Sequence, residues 1–267
     1  MKEAGVLTQI ARSVLKRVEA RAELLSLEQL QRQALSARKP FRFREAFVRS
    51  PAVLAEVKFA SPSQGEMISR TEASLTPSIV ARQYLQSGAV ALSILTEEDY
   101  FKGSLSYLNA IRREFPEAQL LMKDFVVSER QIYEARVNGA DSILLIVALL
   151  ENKELTRYFE LAGTLGLSVL VEVHDEEEMR IAHSLGAELI GVNSRNLKTL
   201  EVSLATAERL AAVAPKGPVL IAESGIQTSE QIKKLNSLGY QGFLIGTSLM
   251  QGGQPGLQLR KLLEGMR

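Results

Sequence analysis

The sequence predicts an α/β fold, a (βα)8 TIM barrel carrying an N-terminal helical extension. Three observations predict it. From about residue 53 onward, short Val/Ile/Leu runs alternate with helical stretches, the pattern of a parallel sheet covered by helices. Eight such runs occur, each followed by a helix, and an open doubly wound sheet rarely needs so many regular units. The chain has 267 residues, close to the ~250 of such a barrel. Length alone would allow two domains, but α/β barrels commonly exceed that prior. One domain over residues 1–267 is therefore expected, of which 1–50 is the extension.

Within the extension, Val6, Ile10, Val14, Leu15 and Val18 recur at helical spacing among arginines and lysines. Leu24, Leu27, Leu30 and Ala34 continue the pattern beyond a break near Ser26, with Glu28 and Gln29 just after it. Pro40 closes this stretch, and Phe41, Phe43 and Phe47 follow. Two helices are expected. Their plainest reading is a lid on the barrel bottom or a partner-binding surface. Their separate pattern ahead of a complete eight-unit repeat predicts that they serve the active site more than the barrel core.

The expected strands are 53–58, 91–96, 120–124, 142–147, 168–173, 189–193, 219–223 and 242–246, and the apolar run from Ile143 to Leu150 reads as buried strand. Helices fill 76–87, 104–114, 128–138, 152–165, 175–185, 202–214, 228–238 and 256–265. Ser128, Asp175 and Thr228 are N-cap candidates, with Gln131, Glu178 and Gln231 three residues later to complete capping boxes. Gly139, Gly166, Gly186 and Gly239 stand where helices stop, the positions that favour a positive φ.

Composition narrows the function classes. Apolar content of 46% and charged content of 24% are globular values, and a formal charge of +1 gives no reason to invoke nucleic acid or an anionic membrane. With no cysteine, thiolate nucleophiles, disulfides and cysteine-bound metals are excluded. The first 25 residues are interrupted by Arg12, Lys16, Arg17 and Arg21, so no apolar stretch there suits a signal peptide, and none in the chain approaches ~20 apolar residues. A cytoplasmic protein is expected.

The chemistry-bearing residues stand where apolar strands end: Glu56 and Lys58, Lys123, Glu172, Asn193 with Arg195 just beyond, then Glu223 and Ser224. The C-terminal strand ends of a closed barrel line one mouth, where catalytic groups collect. By strand alternation Glu56 and Lys58 share a face, Glu172 shares one with Leu170, and Glu223 shares one with Ile221 and Val219. Glu56–Lys58 and Lys123–Glu172 could be structural ion pairs, but six ionisable groups on one rim carry a large desolvation cost unless a ligand or mechanism uses them. The loops SPSQG after the first strand, ESGI after the seventh and IGTS after the eighth are rich in small residues. Backbone N–H groups can approach an anion there, and the loops after strands seven and eight are a common phosphate site of this architecture. No GxGxxG, GxxxxGK[ST] or HExxH motif occurs. His174 precedes Asp175, Glu176, Glu177 and Glu178, which read as an acidic first helical turn suited to the helix dipole, and His183 reads as a surface residue.

These residues resemble those of the indole-3-glycerol phosphate synthase family. The matching stretches are AEVKFASPSQGEM (55–67), SILTEEDYFKGS (93–104), LLMKDFVVSERQIYEARVNGAD (120–141), LVEVHDEEEM (170–179), IGVNSRNL (190–197), IAESGI (221–226) and FLIGTSLM (243–250), in order along nearly the whole chain. The first block departs from the family's EVKKASPSKG, with Phe59 and Gln64 in place of basic residues. The resemblance implies a carboxy-lyase of tryptophan biosynthesis that needs no cofactor and no metal. Its reaction would convert 1-(2-carboxyphenylamino)-1-deoxyribulose 5-phosphate to indole-3-glycerol phosphate. It further implies Lys123 as general acid and Glu172 as the base assisting dehydration, with Lys58, Glu56, Asn193 and Glu223 completing the catalytic rim. Lys58 and Arg195 would hold the anionic ends of the substrate, and Asn193 would orient its hydroxyls. Ser61, Ser224, Gly225, Gly246 and Thr247 would cradle phosphate, while Phe101, Phe125, Leu144 and Leu244 would form an apolar slot for the anthranilate ring. The expected partner is a phosphorylated small molecule, with no nucleic acid and no membrane. A monomer is expected, with weak association with other tryptophan-pathway enzymes left open. The competing readings are another phosphate-binding barrel enzyme, such as a sugar-phosphate isomerase, and a non-catalytic barrel that binds a partner through its N-terminal helices.

Overall fold

The computed structural model describes residues 5–62, 65–66, 75–197 and 199–266. In chain order, α1 (Val6–Leu24) and α2 (Leu27–Ser36) are followed by a 3-10 turn at Phe43–Phe47. Then come β1 (Ala52–Val57), a small hairpin of β2 (Ala60–Ser61) and β3 (Gly65–Glu66), α3 (Pro77–Gln86), β4 (Ala91–Leu95) and α4 (Leu105–Glu114). The middle of the chain carries β5 (Leu120–Lys123), α5 (Glu129–Val137), β6 (Ser142–Ile146), α6 (Asn152–Thr164), β7 (Ser168–Val173) and α7 (Glu176–Ser184). It finishes with β8 (Leu189–Asn193), α8 (Ala205–Ala211), β9 (Val219–Glu223), α9 (Ser229–Ser237), β10 (Gly242–Ile245), α10 (Thr247–Met250) and α11 (Pro255–Glu264). Strands β1 and β4 to β10 pair in parallel, in sequence order, and β10 closes on β1. The expected closed barrel of eight strands is the observed one.

Local chemistry accounts for the helix boundaries. Ser26 caps α2, with the hydroxyl accepting from Gln29 N while the Gln29 side chain accepts from Ser26 N. Ser128 with Gln131 and Thr228 with Gln231 form the same reciprocal pair. The expected box at Asp175 is only half present. Asp175 accepts from Glu178 N, but the Glu178 carboxylate accepts from His174 N instead, one residue upstream. Gly139, Gly166, Gly186 and Gly239 do take positive φ, at 86°, 74°, 75° and 106°. The expectation failed in three other places. The paired β2 and β3 and the short α10 were read as loop, and β6 stops at Ile146, with Val147–Leu150 turning out of the barrel.

The extension does two jobs at opposite ends of the barrel. Residues 38–47 run beneath the N-terminal strand ends: Phe41 N donates to Asp141 Oδ1 at 2.8 Å, and Phe43 N to Ser168 Oγ at 3.2 Å. Phe43 and Phe47 are buried, and Gly242 leaves room for the Phe47 ring, whose atoms lie 2.8 Å from where a Cβ would stand. The α1 helix crosses to the other end. Ile10, Val14 and Val18 pack with Tyr100, Phe101, Phe125 and Val127, and Arg21 pairs with Glu134 of α5 at 2.8 Å. A chain beginning at Arg44 is therefore expected to lose stability as well as substrate binding, because it loses Phe43 and the Arg38–Asp141 pair. Thermal melts of that truncation, compared with one lacking only 1–24, check this: equal midpoints would show that the bottom segment contributes nothing.

Candidate active site

At the C-terminal mouth lies a cavity of about 440 Å³, and every residue named above as a catalytic or substrate-binding candidate lines it. Val6, Leu7 and Ile10 of α1 line it too, so α1 belongs to the site rather than to the barrel bottom. Inward strand positions carry the charged groups. Lys58 Nζ lies 2.7 Å from Glu56 Oε1. Lys123 Nζ stands between two carboxylates, 3.5 Å from Glu172 Oε2 and 3.4 Å from Glu223 Oε2. Glu56, Glu172 and Glu223 are each at most 5% exposed. Fully buried charges survive only when compensated, and here they compensate one another.

Glycine makes that meeting possible. Gly191 on β8 is opposite Glu172 in the register, and a Cβ placed there would stand 2.0 Å from Glu223 Oε1. Only a residue without a side chain lets the Glu223 carboxylate lean past β8 toward Glu172. Gly246 likewise faces Glu56, whose Oε1 would be 2.5 Å from a Cβ. The Gly246 position therefore answers to Glu56 as well as to any anion.

The two facing carboxylates are driven apart in acidity. Burial opposes ionisation of Glu172, but Lys123 together with the neighbouring His174 and Asn193 side chains outweighs it and holds the group down to about 2. Burial pushes Glu223 up to about 8 against the pull of Lys123, helped by the neighbouring Glu172 and Glu56 charges. Lys123 is desolvated too, yet Glu223, Glu172 and Glu56 together raise it above its ordinary value. Burial likewise opposes Glu56, and Lys58 and then Lys123 bring it below its ordinary value. Of the two facing carboxyl groups, Glu172 is thus the one favoured to carry charge and Glu223 the one favoured to hold a proton.

The loops supply the remaining walls. Glu97 is 2% exposed and folds back to accept from Asp99 N, Tyr100 N and Phe101 N at 2.9, 2.8 and 2.9 Å, which fixes the turn carrying Phe101. The Phe101 and Phe125 rings lie 5.9 Å apart, forming one apolar wall with Leu144 and Leu244 also on the cavity. Asp124 turns away from Lys123, accepting from Thr96 Oγ1 at 2.5 Å and Phe125 N at 2.8 Å; burial pushes it up to about 6. Arg195 Nη1 donates to Leu200 O at 2.8 Å, and Arg195 N donates to Asn193 Oδ1 at 3.0 Å, so both residues are anchored as they face the cavity. Ser224 and Gly225 take positive φ of 65° and 83°, turning the chain after β9 across the mouth. Of the two departures in the first block, Phe59 packs edge-on against Tyr107 at 6.1 Å, and Gln64 lies outside the described residues.

Sequence reasoning missed His174, Asp124, Glu97 and Gly191. An acidic run after a strand reads as a helix dipole feature, and only the Gly inside a strand carried a local signal. Among the described residues no group of three or more His, Cys, Asp or Glu side chains is placed to hold a metal ion.

The family model described as indole-3-glycerol phosphate synthase matches residues 7–262. The indole-3-glycerol phosphate synthase of Carboxydothermus hydrogenoformans is 40% identical over 263 residues, covering 96% of this chain and 98% of that protein. That of Magnetococcus marinus is 46% identical over 211 residues, covering 79% and 78%. Among solved structures, 3-hexulose-6-phosphate synthase from Salmonella typhimurium aligns with a TM-score of 0.64 at 13% identity, over 80% of this chain and 98% of that one. At that identity the likeness concerns the fold.

Proposed function

The chain belongs to the indole-3-glycerol phosphate synthase family, and from that premise we propose how its barrel mouth closes the indole ring. The substrate is 1-(2-carboxyphenylamino)-1-deoxyribulose 5-phosphate, and the products are indole-3-glycerol phosphate, carbon dioxide and water. The observation that carries the reading is one buried ammonium, Lys123, flanked by two carboxylates of opposite acidity beside an aromatic wall.

The anthranilate ring lies against Phe101, Phe125, Leu144 and Leu244. Its carboxylate and the phosphate at the far end are held by Lys58 and Arg195 and by the loops of Ser61, Ser224, Gly225, Gly246 and Thr247. The ring carbon that bears the carboxylate attacks the ketone, and Lys123 delivers a proton to the ketone oxygen as the bond forms. Carbon dioxide then leaves and its bonding electrons restore the aromatic ring. Lys123 regains a proton from solvent, the new hydroxyl leaves as water with that proton, and Glu172 takes the proton from the neighbouring methylene carbon that is bonded to nitrogen. An ammonium held above its ordinary value stays charged until the oxyanion develops beside it, which suits donation in the transition state. Glu56 keeps Lys58 in place, Asn193 orients hydroxyls, and Glu223, protonated, faces Glu172 without competing for the charge. The same reading makes residues 1–267 one working domain and places the reaction in the cytoplasm.

The test is direct. Incubation with the carboxyphenylamino substrate is expected to give indole fluorescence against a low background, since the chain has no tryptophan. Inorganic phosphate should compete weakly with the substrate. Turnover of a sugar phosphate without any indole product would instead support the isomerase reading.

A further inference from the structure

The geometry points to His174 as a positioning residue that holds Glu172 in place and keeps it, of the two facing carboxylates, the ionised one. This deepens the assignment of Glu172 as the base and rests on it. His174 follows β7 directly and is built in from both sides. Its backbone N donates to Glu178 Oε2 at 2.7 Å, its ring Nδ1 lies 3.0 Å from that same oxygen, and its Nε2 lies 3.4 Å from Glu172 Oε1. The ring is 16% exposed. With a carboxylate at each nitrogen, only the doubly protonated imidazolium donates at both ends.

Glu172 is thus held between two cations, His174 on Oε1 and Lys123 on Oε2, whereas among the described residues Glu223 meets only Lys123. That asymmetry gives the two carboxylates different tasks even though they are equally buried. Burial opposes a charged ring at His174, but the carboxylates of Glu172 and Glu178 at its two nitrogens outweigh it and raise the imidazole to about 10. The other acids of the α7 first turn are engaged elsewhere: Glu176 pairs with Arg209 and Glu177 with Arg180. Glu178 is therefore the acid that aims the ring. No proton needs to move through His174. Its charge and its fixed direction are what act on Glu172.

A histidine that only fills space would tolerate a neutral amide without any change in pH behaviour. Three measurements separate the two roles. Nitrogen-resolved NMR can follow both histidines, with exposed His183 as the internal reference. His174 should remain doubly protonated at pH 8, and Glu172→Gln should lower the His174 midpoint. His174→Gln, which keeps a donor but no charge, should move the acid limb of the turnover profile up by about 1–3 pH units, the effect of removing one adjacent charge. KM should change little. Glu178→Gln should shift the limb in the same direction. A His174→Gln profile superimposable on that of the unaltered protein would overturn the inference, as would a His174 ring that is neutral at pH 8. Full turnover in Glu172→Gln would sink the base assignment instead, and the His174 midpoint would still decide whether the pair exists.

Discussion

Replacing Lys123 with methionine is expected to lower turnover by about 10²–10⁴-fold, the usual contribution of a positioned general acid, with a much smaller change in substrate affinity. Single-turnover mixing isolates the chemical step from product release, and a near-normal rate there would remove Lys123 from the mechanism. The structure adds a second, separable signature. Lys123 is the counter-ion that holds Glu172 charged and also restrains the upward shift of Glu223, so its loss leaves buried carboxyl groups that prefer to be protonated. Their folded-state pKa values then lie above those of the unfolded chain. The folded variant binds more protons than the unfolded one, so its stability falls as pH rises. The melting midpoint of Lys123→Met should therefore approach that of the unaltered protein near pH 5 and fall below it progressively toward pH 8. A deficit independent of pH would show that the carboxylates do not depend on Lys123 for their charge.

At the opposite end of the barrel, Asp141→Ala is expected to cost about 3–5 kcal/mol, the range for breaking a buried ion pair by removing one partner. Asp141 has no exposed surface and accepts four bonds: Arg38 Nη1 at 2.8 Å, Phe41 N at 2.8 Å, Arg112 Nη2 at 2.5 Å and Leu120 N at 2.9 Å. It ties the segment after α2 to the start of β5 and to the side chain of Arg112, which also donates to the carbonyls of Pro116 and Ala118 at 2.7 Å each. Removing the carboxylate strands two guanidinium groups and two amides together. For a chain of this size the midpoint should drop by roughly 6–20 °C, while kinetics measured well below it stay close to normal. Thermal and urea unfolding followed by circular dichroism would check this, and a loss under about 1 kcal/mol would mean water replaces the carboxylate.

Much of this molecule was legible residue by residue. Alternation between apolar runs and helical spacing is a local property, and it located all eight barrel strands to within a residue or two at most ends. The caps at Ser128 and Thr228 were legible for the same reason, since a cap involves residues three apart, whereas the box at Ser26 was read only as a break. So was the set of inward strand-end residues, because strand parity follows from sequence once the strand is known. The half-formed cap at Asp175 shows the limit: Glu178 had two amides within reach, and the His174 ring gave its carboxylate a reason to take the upstream one.

What the sequence determined by itself was the kind of barrel and which side chains look into its mouth. Only the tertiary structure decided how those side chains meet. Lys123, Glu172 and Glu223 come from three different strands, and their 3.4–3.5 Å contacts exist only because the ring of strands closes with one particular stagger. Gly191 owes its place to a carboxylate leaning across from the next strand, and His174 owes its charge to two acids set at either end of its ring. The extension's apolar stripe showed that α1 is a helix with a buried face; its seat on the mouth came from Arg17 pairing with Glu98 and Asp99 and from Ile10, Val14 and Val18 meeting Phe101 and Phe125. Periodicity records whether a residue is buried, because burial acts on each position separately. It does not record against what, because that depends on how distant segments are brought together when the barrel closes.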